Sequence, residues 1–416
     1  MERKTFSSLG NRNFRLYLGG QTISQAGTWM QTVAQAWLVL RLTDSGIALG
    51  VVVALQAVPV LLFAPLGGLV VDRSDKRRLL VATQTAAGAL ALALWLLVAT
   101  HSVRLWMVYV LAAGLGLVNL FDNPVRQAFV LDVVGPTHLA NAVTLNNVNF
   151  NAARIVGPAL AGVTISTLGI GPCFLCNGLS YAAVVVALML MRSGDLFASP
   201  AQARGARQLR EAMAYVRRTP ELFIPVCMMM CIGCLTYETQ VTLPLLAKHT
   251  FHGGAGTYSA MSLAMGVGAV VGGLSVATRL SASRRNLLVV TALLGALMLC
   301  CSVAPTLPVE LGSLVVLGAG SLAFLAVANS TLQLSAPAAM RGRVMSLWSV
   351  AFLGSAPIGA PIVGAIGQHV DPRWGIAVGG IAPLVAVVFA WPALRRLPGG
   401  LRTIAGAHLD VAGSAA

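Results

Sequence analysis

Long runs of apolar residues, separated by short breaks that contain charged residues, glycine or proline, fill most of this chain. A membrane-spanning helix needs about 20 mainly apolar residues. The runs reach that length without the strict alternation that lipid-facing β-strands show. The pattern therefore predicts an all-α polytopic membrane protein with twelve spans. Their approximate bounds are 14–40, 48–71, 79–99, 104–121, 140–168, 171–191, 222–246, 256–277, 286–304, 310–334, 344–367 and 375–394.

The longest break between spans, residues 192–221, divides the twelve spans into two sets of six. The chain is therefore predicted to have an N-terminal tail, a first six-helix bundle, a linker, a second six-helix bundle and a C-terminal tail. These parts cover 1–13, 14–191, 192–221, 222–394 and 395–416. Within the linker, residues 207–218 carry apolar side chains at 209, 213 and 216, which predicts a short amphipathic helix on the membrane surface.

The two sets of spans share sequence. The segment GGLVVDRSDKRRLL at 67–80 ends the second span, and GGLSVATRLSASRRNLL at 272–288 ends the eighth. In the fifth span, GPALAG at 157–162 is similar to GAPIVG at 359–364 in the eleventh. Because internal repeats of this kind are typical of transporters, we expect two pseudo-symmetric bundles around a central cavity.

The composition agrees with a chain that lies in lipid. Of the 416 residues, 57% are hydrophobic and 10% are charged. A soluble domain carries about 25% charged residues. This deficit of charge excludes a soluble protein, and the high apolar content excludes a disordered one.

The net charge of +15 is distributed unevenly along the chain. Of the 28 Lys and Arg residues, 23 lie in segments that the span count places on one side of the membrane, four lie on the other side, and Arg154 lies within a span. The side rich in Lys and Arg is the cytoplasmic one. We therefore expect an inner-membrane protein with both termini in the cytoplasm, whose positive charge faces anionic lipid rather than nucleic acid.

The cysteines and histidines do not have the spacing of a catalytic or metal site. The seven cysteines nearly all lie in apolar runs, which argues against a disulfide framework. Adaptable packing explains Cys227, Cys231 and Cys234 better than a soft metal does. The sequence also lacks zinc-protease, hydrolase and nucleotide-binding motifs. We expect no enzyme activity, metal or cofactor, so active transport would need an ion gradient.

The segment GLVVDRSDKR, from Gly68 to Arg77, resembles the signature that the major facilitator superfamily carries between its second and third helices. Asp75 replaces the glycine that is usual in that signature, as it does in a subgroup of bacterial exporters that includes enterobactin-exporter-like and multidrug efflux proteins. Three other stretches are similar to that subgroup, at residues 27–37, 121–127 and 151–158.

The resemblance covers residues 10–395 and implies both the superfamily fold and transport. One residue expected from the superfamily is missing from the predicted spans. Many drug/proton antiporters carry an arginine inside helix 4, whereas the fourth span here has Arg104 only at its outer rim.

Six residues are candidates for a gating latch at the cytoplasmic end: Gly68, Asp72, Arg73, Lys76, Arg77 and Asp122. The resemblance implies that the signature acts as a conformational latch. Asp122, at the inner end of the fourth span, would pair with Arg73 or Arg77. It would also lie near the amino end of the eleventh helix, which starts near Arg341 and attracts negative charge. The alternative is that the basic residues only set the topology.

Polar side chains follow one face of the first span at spacings of three and four residues: Gln21, Ser24, Thr28, Gln31 and Gln35. Lipid cannot satisfy such groups, so the stripe has to face protein or a watery cavity. We expect Thr28, Gln31 and Gln35 to line the substrate cavity. The alternative is hydrogen bonding between helices alone.

The fifth span carries Asn147, Asn151, Arg154 and Pro158 on one face. An arginine inside the membrane is costly and has to face inward with a partner. We therefore expect Arg154 and the two asparagines to line the substrate cavity, with a structural arginine bonded to carbonyls as the alternative. Gly157 and Pro158 predict a kink of this helix, which would free a carbonyl.

Glu238, in the seventh span, is the only carboxylate well inside an apolar run. Tyr237 beside it is expected in the substrate cavity. An acid in a cavity can load and release a proton in each transport cycle, so proton coupling is the first hypothesis for Glu238. A contact with a cationic substrate and a permanently protonated structural acid are the alternatives.

Together these features predict a secondary active transporter that alternates access by rocking its two bundles. A mainly apolar cavity with scattered amides suits a mid-sized amphipathic or hydrophobic organic molecule, exported in exchange for protons. The alternatives are a siderophore or lipid exporter, an uptake transporter of the same fold, and a membrane sensor or scaffold without turnover. The expected partners are the small-molecule substrate, protons and membrane lipids, and we expect a monomer.

Overall fold

The computed structural model describes residues 6–197, 206–276, 280–337, 340–397 and 400–401. The α-helices in these residues are α1 Arg12–Thr43, α2 Gly46–Arg73, α3 Lys76–Ala99, α4 Leu105–Leu168, α5 Gly171–Leu190, α6 Ala206–Arg218, α7 Pro220–Leu235, α8 Thr239–Leu245, α9 Ala255–Val276, α10 Arg284–Ser302, α11 Leu307–Ser335, α12 Arg341–Leu353, α13 Ala356–His369 and α14 Pro372–Arg395. A π-helical turn, Leu246–Thr250, continues α8. Parts of the predicted tails, linker and second repeat segment lie outside the described residues, at 1–5, 198–205, 277–279 and 402–416.

Helical segments of membrane-spanning length cover all twelve predicted spans. Within the described residues, 10 segments are long and apolar enough to cross a membrane. One of them is α4 with 64 residues, which as a single rod would extend about 96 Å. That is three times the ~30 Å hydrocarbon core, so α4 holds two spans. The 32-residue α1, which carries the polar stripe, is the twelfth. The predicted all-α fold is confirmed.

The fourth span ends later than the sequence predicts. α4 stays helical beyond residue 121 and breaks at Gly135, whose φ of 68° and ψ of 174° suit glycine rather than other residues. Asp122 and Arg126 indicated a loop, but at a spacing of four residues they pair along the helix surface. The predicted bound at 121 was therefore wrong, because these charges are satisfied within the helix.

Met1–Gly205 and Gly253–Leu263 form the first of two compact units. In this unit α1 packs against α4 and α5, α2 against α4, and α3 against α5. Gly157 lets the second part of α4 approach α1, because an added Cβ would lie 2.8 Å from the Ala26 carbonyl oxygen. Gly116 does the same between the first part of α4 and α2, where Gln56 supplies the carbonyl. The first span thus pairs with the fifth, the second with the fourth and the third with the sixth.

Ala206–His252 and Ala264–Ala416 form the second unit. Here α7 packs against α12 and α13, and α10 packs against α14. α9 approaches α11 where Gly268 faces the Val315 carbonyl. Gly359 of α13 lies against the Cys234 carbonyl of α7 so closely that a Cβ would overlap it. The second unit therefore repeats the span pairing of the first, with Gly359 in the role of Gly157, which confirms the predicted repeat.

Helix α6 covers the linker segment for which the sequence predicts an amphipathic helix. It packs against α7 and α12. Val216 is buried, whereas Met213 is exposed. A carboxylate oxygen of Glu211 lies 3.2 Å from the Arg343 guanidinium. Contact between α6 and a membrane surface stays a prediction.

Candidate functional site

Two basic residues of the signature segment, Lys76 and Arg77, bind groups on other helices of the first unit. Lys76 begins α3, and its Nζ lies 2.8 and 3.0 Å from the two carboxylate oxygens of Asp132. Arg77 donates to the carbonyls of Leu188 at 2.8 Å and Met189 at 3.1 Å, and to the Ser193 hydroxyl at 2.6 Å. A guanidinium is well placed there, because the last carbonyls of α5 form the negative end of that helix.

The other signature residues are placed differently. The Asp72 Oδ2 is buried and has no hydrogen-bond partner in the part of the chain described. Arg73 is exposed, and a Cβ added to Gly68 would meet nothing within 4 Å. Asp75 caps α3, since its side chain accepts from the Arg78 backbone N–H at 3.0 Å. This cap explains why an aspartate is favourable where the superfamily signature has glycine.

Asp122 does not pair with Arg73 or Arg77 as the sequence predicts. Its Oδ1 accepts from the Thr83 hydroxyl at 2.8 Å and from the Gln84 amide at 2.7 Å. Its Oδ2 lies 3.2 Å from Arg126 Nη2, and the side chain is 6% exposed. The expected pairing is corrected because Arg77 is occupied by the carbonyls of α5, while Asp122 has a cation on its own helix.

Arg126 is the main residue that the sequence analysis missed. It was counted in a loop, but it lies inside α4, so the fourth helix does carry an arginine. Its guanidinium also donates to Asn123 Oδ1 at 2.9 Å and to Gln21 Oε1 at 3.4 Å. The spacing of four residues between Asp122 and Arg126 was the signal that could have revealed the pair.

The polar stripe of α1 faces protein along much of its length. Gln31 and Gln35 are buried, and Gln31 Oε1 accepts from the Asn177 amide of α5 at 2.8 Å. Thr28 is exposed, and its hydroxyl lies 3.3 Å from the Tyr181 hydroxyl, also on α5. With 8% and 6% of their surfaces exposed, Gln31 and Gln35 are enclosed in this arrangement, and their place in a substrate cavity stays a prediction. For Gln31 the contact favours the alternative of interhelical hydrogen bonding.

The predicted residues of the fifth span lie along the second part of α4. Asn147 is exposed, and its carbonyl accepts from the Asn151 amide at 2.8 Å. The Arg154 guanidinium lies 5.3 Å from the centre of the Trp29 ring, a cation–π contact.

Pro158 lies inside α4, and the expected kink at Gly157 and Pro158 stays a prediction. Gly135 is the residue with non-helical φ and ψ inside α4. Gly157 allows α1 to pack closely against α4, because it has no side chain at this contact.

A cavity of about 1230 Å³ lies within the first unit. It brings together four of the predicted residues, Asp72, Lys76, Arg77 and Asn147, with two that were missed, Gln25 and Arg126. The lining includes Phe150 and Val143, so the wall is both polar and apolar. The other candidates of the first unit do not line it: Gly68, Arg73, Asp122, Thr28, Gln31, Gln35, Asn151 and Arg154.

The second unit contains a broken span at Glu238. α7 ends at Leu235 and α8 starts at Thr239, whereas the sequence predicts one continuous span over 222–246. Neighbouring helices stabilise this break: the Thr236 hydroxyl donates to the Gly379 carbonyl at 2.7 Å, and the Tyr237 hydroxyl donates to the Ser321 carbonyl at 3.1 Å. The predicted span is present as one segment, Pro220–Thr250. The break inside it was not predicted, because the contacts at Thr236 and Tyr237 come from residues far away in sequence.

Glu238 lies at the break and is 4% exposed. Its backbone carbonyl accepts from the N–H groups of Val241 and Thr242 at 3.0 and 3.1 Å. Among the described residues, neither a hydrogen-bond donor nor a cation lies against its carboxyl group. The Tyr237 ring, next in sequence, packs edge to face on Phe352 with 5.1 Å between ring centres. Over the same described residues, no group of three His, Cys, Asp or Glu side chains is arranged to hold a metal ion.

A repeated pairing of membrane-spanning helices is the architecture of a membrane transporter of the major facilitator superfamily. The chain belongs to the transmembrane secretion effector family of that superfamily, whose model matches residues 3–400. Members of this family and the relatives described next are transporters, not enzymes.

Curated relatives and a solved structure agree with this membership. The chain is 24% identical to the multidrug efflux pump Tap of Mycolicibacterium fortuitum over 83% of its own length and 87% of that protein. It is 23% identical to the enterobactin exporter EntS of Citrobacter koseri over 89% of both chains. The chain spans 62% of the length of the Staphylococcus aureus staphyloferrin A transporter, at 25% identity. Its fold matches the nucleoside transporter NupG with a TM-score of 0.75 at 12% identity, covering 92% of this chain and 98% of that one.

Proposed function

We propose that the protein is a secondary active exporter that moves a mid-sized amphipathic or hydrophobic organic molecule out of the cell by alternating access, with the proton gradient as its energy source. Family membership supports transport, and the efflux pump and the enterobactin exporter among the relatives support export. The cavity of about 1230 Å³ is large enough for a mid-sized substrate, because it exceeds the range of about 300–1,000 Å³ for pockets that hold drug-sized ligands.

The observation that carries the proposed proton coupling is the isolated carboxyl group of Glu238. An ionised carboxylate is costly to bury without a partner. Glu238 therefore holds a proton while it is enclosed and releases it when water reaches the site. Its position at a break between two helical segments supports this role, because transporters use such breaks to bind substrates and coupling ions.

The proposed gate is the signature segment at the end of α2. The buried Asp72 oxygen without a described partner supports a latch that closes in a different conformation, in which Asp72 accepts a donor. Gly68 and the exposed Arg73 belong to the same proposed latch. In the present arrangement Lys76, Arg77 and Asp122 have partners within the first unit.

The proposed cellular setting follows from the charge distribution. The protein is a monomer in the inner membrane, with both termini in the cytoplasm, where its Lys and Arg residues contact anionic lipid. Asn147 lines the cavity and is proposed to contact substrate. Asn151, Arg154, Thr28 and Tyr237 are proposed to join it in other states of the transport cycle.

Purified protein in sealed vesicles with an imposed pH gradient tests this proposal. The wild type should accumulate a fluorescent amphipathic dye against its own gradient, and an uncoupler should abolish the accumulation. Glu238→Gln should abolish gradient-driven accumulation while dye exchange without a gradient continues, because the amide fills the same space but takes up no proton.

Glu221→Gln is the matched control, since Glu221 begins the same span and lies 3.9 Å from Arg284. It should keep gradient-driven transport. A Glu238→Gln protein that still accumulates dye in response to the pH gradient would remove Glu238 from the coupling mechanism. A wild type with no flux would favour the sensor or scaffold alternative.

A siderophore is the second candidate substrate. The enterobactin exporter and the staphyloferrin A transporter among the relatives favour it. Secretion of iron-binding compounds by cells that lack or overproduce the protein distinguishes a siderophore from a drug-like substrate.

A further inference from the structure

Arg126 pairs with the buried carboxylate of Asp122 and also lines a cavity. Its side chain is 24% exposed and lines the cavity of the first unit. A guanidinium has five N–H donors. Nη2 contacts Asp122 and Asn123, and Nη1 donates to Gln21. The remaining N–H groups have no acceptor in the described part of the chain, so Arg126 has donors to spare.

In each of three side-chain amides close to Arg126 and Asp122, one polar atom is hydrogen-bonded and the other has no partner among the described residues. Gln21 Nε2, Gln25 Oε1 and Gln84 Oε1 make no hydrogen bond to described residues, although all three side chains are more than nine-tenths buried. A buried amide group without a partner is costly, and folded proteins normally supply one, often a water or a ligand. Of these three glutamines, Gln25 lines the cavity together with Arg126, so a ligand that reaches Arg126 also reaches Gln25.

Asp122 keeps other donors if Arg126 moves away. Its Oδ1 is held by the Thr83 hydroxyl at 2.8 Å and the Gln84 amide at 2.7 Å. The two other cations at the cavity are fixed more firmly. Lys76 contacts both oxygens of Asp132, and Arg77 is fixed by carbonyls of α5. Arg126 therefore differs from Lys76 in having a carboxylate partner that keeps two neutral donors, whereas the described hydrogen bonds of the Asp132 carboxylate come from Lys76.

On the basis of the proposed export function, we infer that Arg126 binds an acidic group of the substrate in this cavity and that Asp122 is the internal counter-ion which the substrate replaces. A carboxylate or a comparable oxyanion suits a guanidinium, which offers paired N–H donors. The substrate class is therefore an amphipathic organic acid rather than a neutral or cationic molecule.

Matched acid and ester probes test this inference. Rhodamine 110 carries a free carboxyl group, and rhodamine 123 is its methyl ester. Dansyl-phenylalanine and its methyl ester form a second pair. Export of each probe is measured in the same sealed vesicles, and the readout is the ratio of the acid rate to the ester rate. A general loss of folding, gating or proton coupling lowers both rates and leaves this ratio unchanged.

We expect Arg126→Gln to lower the acid-to-ester ratio about tenfold or more, as the loss of a hydrogen bond between charged groups implies. Asp122→Asn should raise the ratio, because Arg126 is then released from its counter-ion. Arg126→Gln leaves Asp122 buried without a cation, which is destabilising. The double variant Asp122→Asn/Arg126→Gln removes both charges and should retain the low ratio of Arg126→Gln.

Arg104→Gln is the matched control, because Arg104 precedes the first residue of the same helix and does not line the cavity. Its ratio should equal that of the wild type. Equal acid-to-ester ratios in the wild type, Arg126→Gln and the double variant would overturn the inference and leave Arg126 a structural residue. A wild type that exports only the esters would also overturn it, while export itself would stand. A wild type that exports neither member of either pair would contradict the proposed function, and the inference with it.

Discussion

The ion pair between Lys76 and Asp132 connects the start of α3 to the first part of α4, and its strength can be estimated from its geometry. Lys76 Nζ lies 2.8 and 3.0 Å from the carboxylate oxygens, and the side chains are 18% and 14% exposed. Coulomb's law with an effective dielectric constant of ~20 gives about 6 kcal/mol at this separation. Desolvation of both groups offsets most of this attraction, so we expect a coupling free energy of about 1–3 kcal/mol, above that of an exposed pair.

A double-mutant cycle measures this coupling through the free energy of unfolding of the purified protein in detergent. Lys76→Ala and Asp132→Ala each leave a mostly buried charge without its partner. The double variant should therefore lose less stability than the two single variants together. The exchange Lys76→Asp/Asp132→Lys keeps the pair with reversed charges and should recover most of the loss. A coupling below about 0.5 kcal/mol, with an exchange variant no more stable than the single variants, would refute this reasoning.

Two further changes test the packing of each unit through thermal unfolding. Gly359→Ala should destabilise the protein by about 1–3 kcal/mol, because the new Cβ would overlap the Cys234 carbonyl. Gly68→Ala is the control: its new Cβ meets nothing within 4 Å, so stability should be unchanged or slightly increased. Equal effects of the two would contradict the close approach of α13 and α7. Gln31→Leu should cost about 1–3 kcal/mol by leaving the Asn177 amide without its acceptor, and Gln31→Leu/Asn177→Leu should regain part of that loss. A double variant less stable than Gln31→Leu would argue against the pair.

The positions of the spans could be predicted because a helix in lipid must be both long and apolar, and few sequences satisfy that by chance. The internal repeat could also be predicted, because glycines at close helix contacts occur in similar sequences in both halves. The predicted end of the fourth span at residue 121 was wrong, because the requirement for apolar residues does not identify charged residues that pair inside a helix. In the sequence, Asp122 and Arg126 have the charge that is typical of a loop. In the folded unit they form an ion pair along the helix surface, so the helix continues past them.

The candidate site was predictable only in part. A polar stripe such as that of α1 indicates a face that avoids lipid, but it does not distinguish a protein neighbour from a watery cavity. Gln31 was therefore assigned to the cavity although Asn177 of α5 is its partner. In the same way, the sequence predicted that Arg73 or Arg77 pairs with Asp122. It did not predict that Arg77 contacts the end of α5, because residues more than a hundred positions away supply those carbonyls.

Asp122 and Glu238 are both buried acids, yet their surroundings suit them to different tasks. Asp122 accepts from two neutral donors and contacts a cation. Glu238 has no described donor against its carboxyl group, so protonation costs it no hydrogen bond, and ionisation requires water or a new partner. Under the proposed function, a substrate acid competes with Asp122 for Arg126 in the first unit, while the proton is exchanged at Glu238 in the second. Substrate recognition and energy coupling are then separate in the chain, and export requires a conformational change to link them.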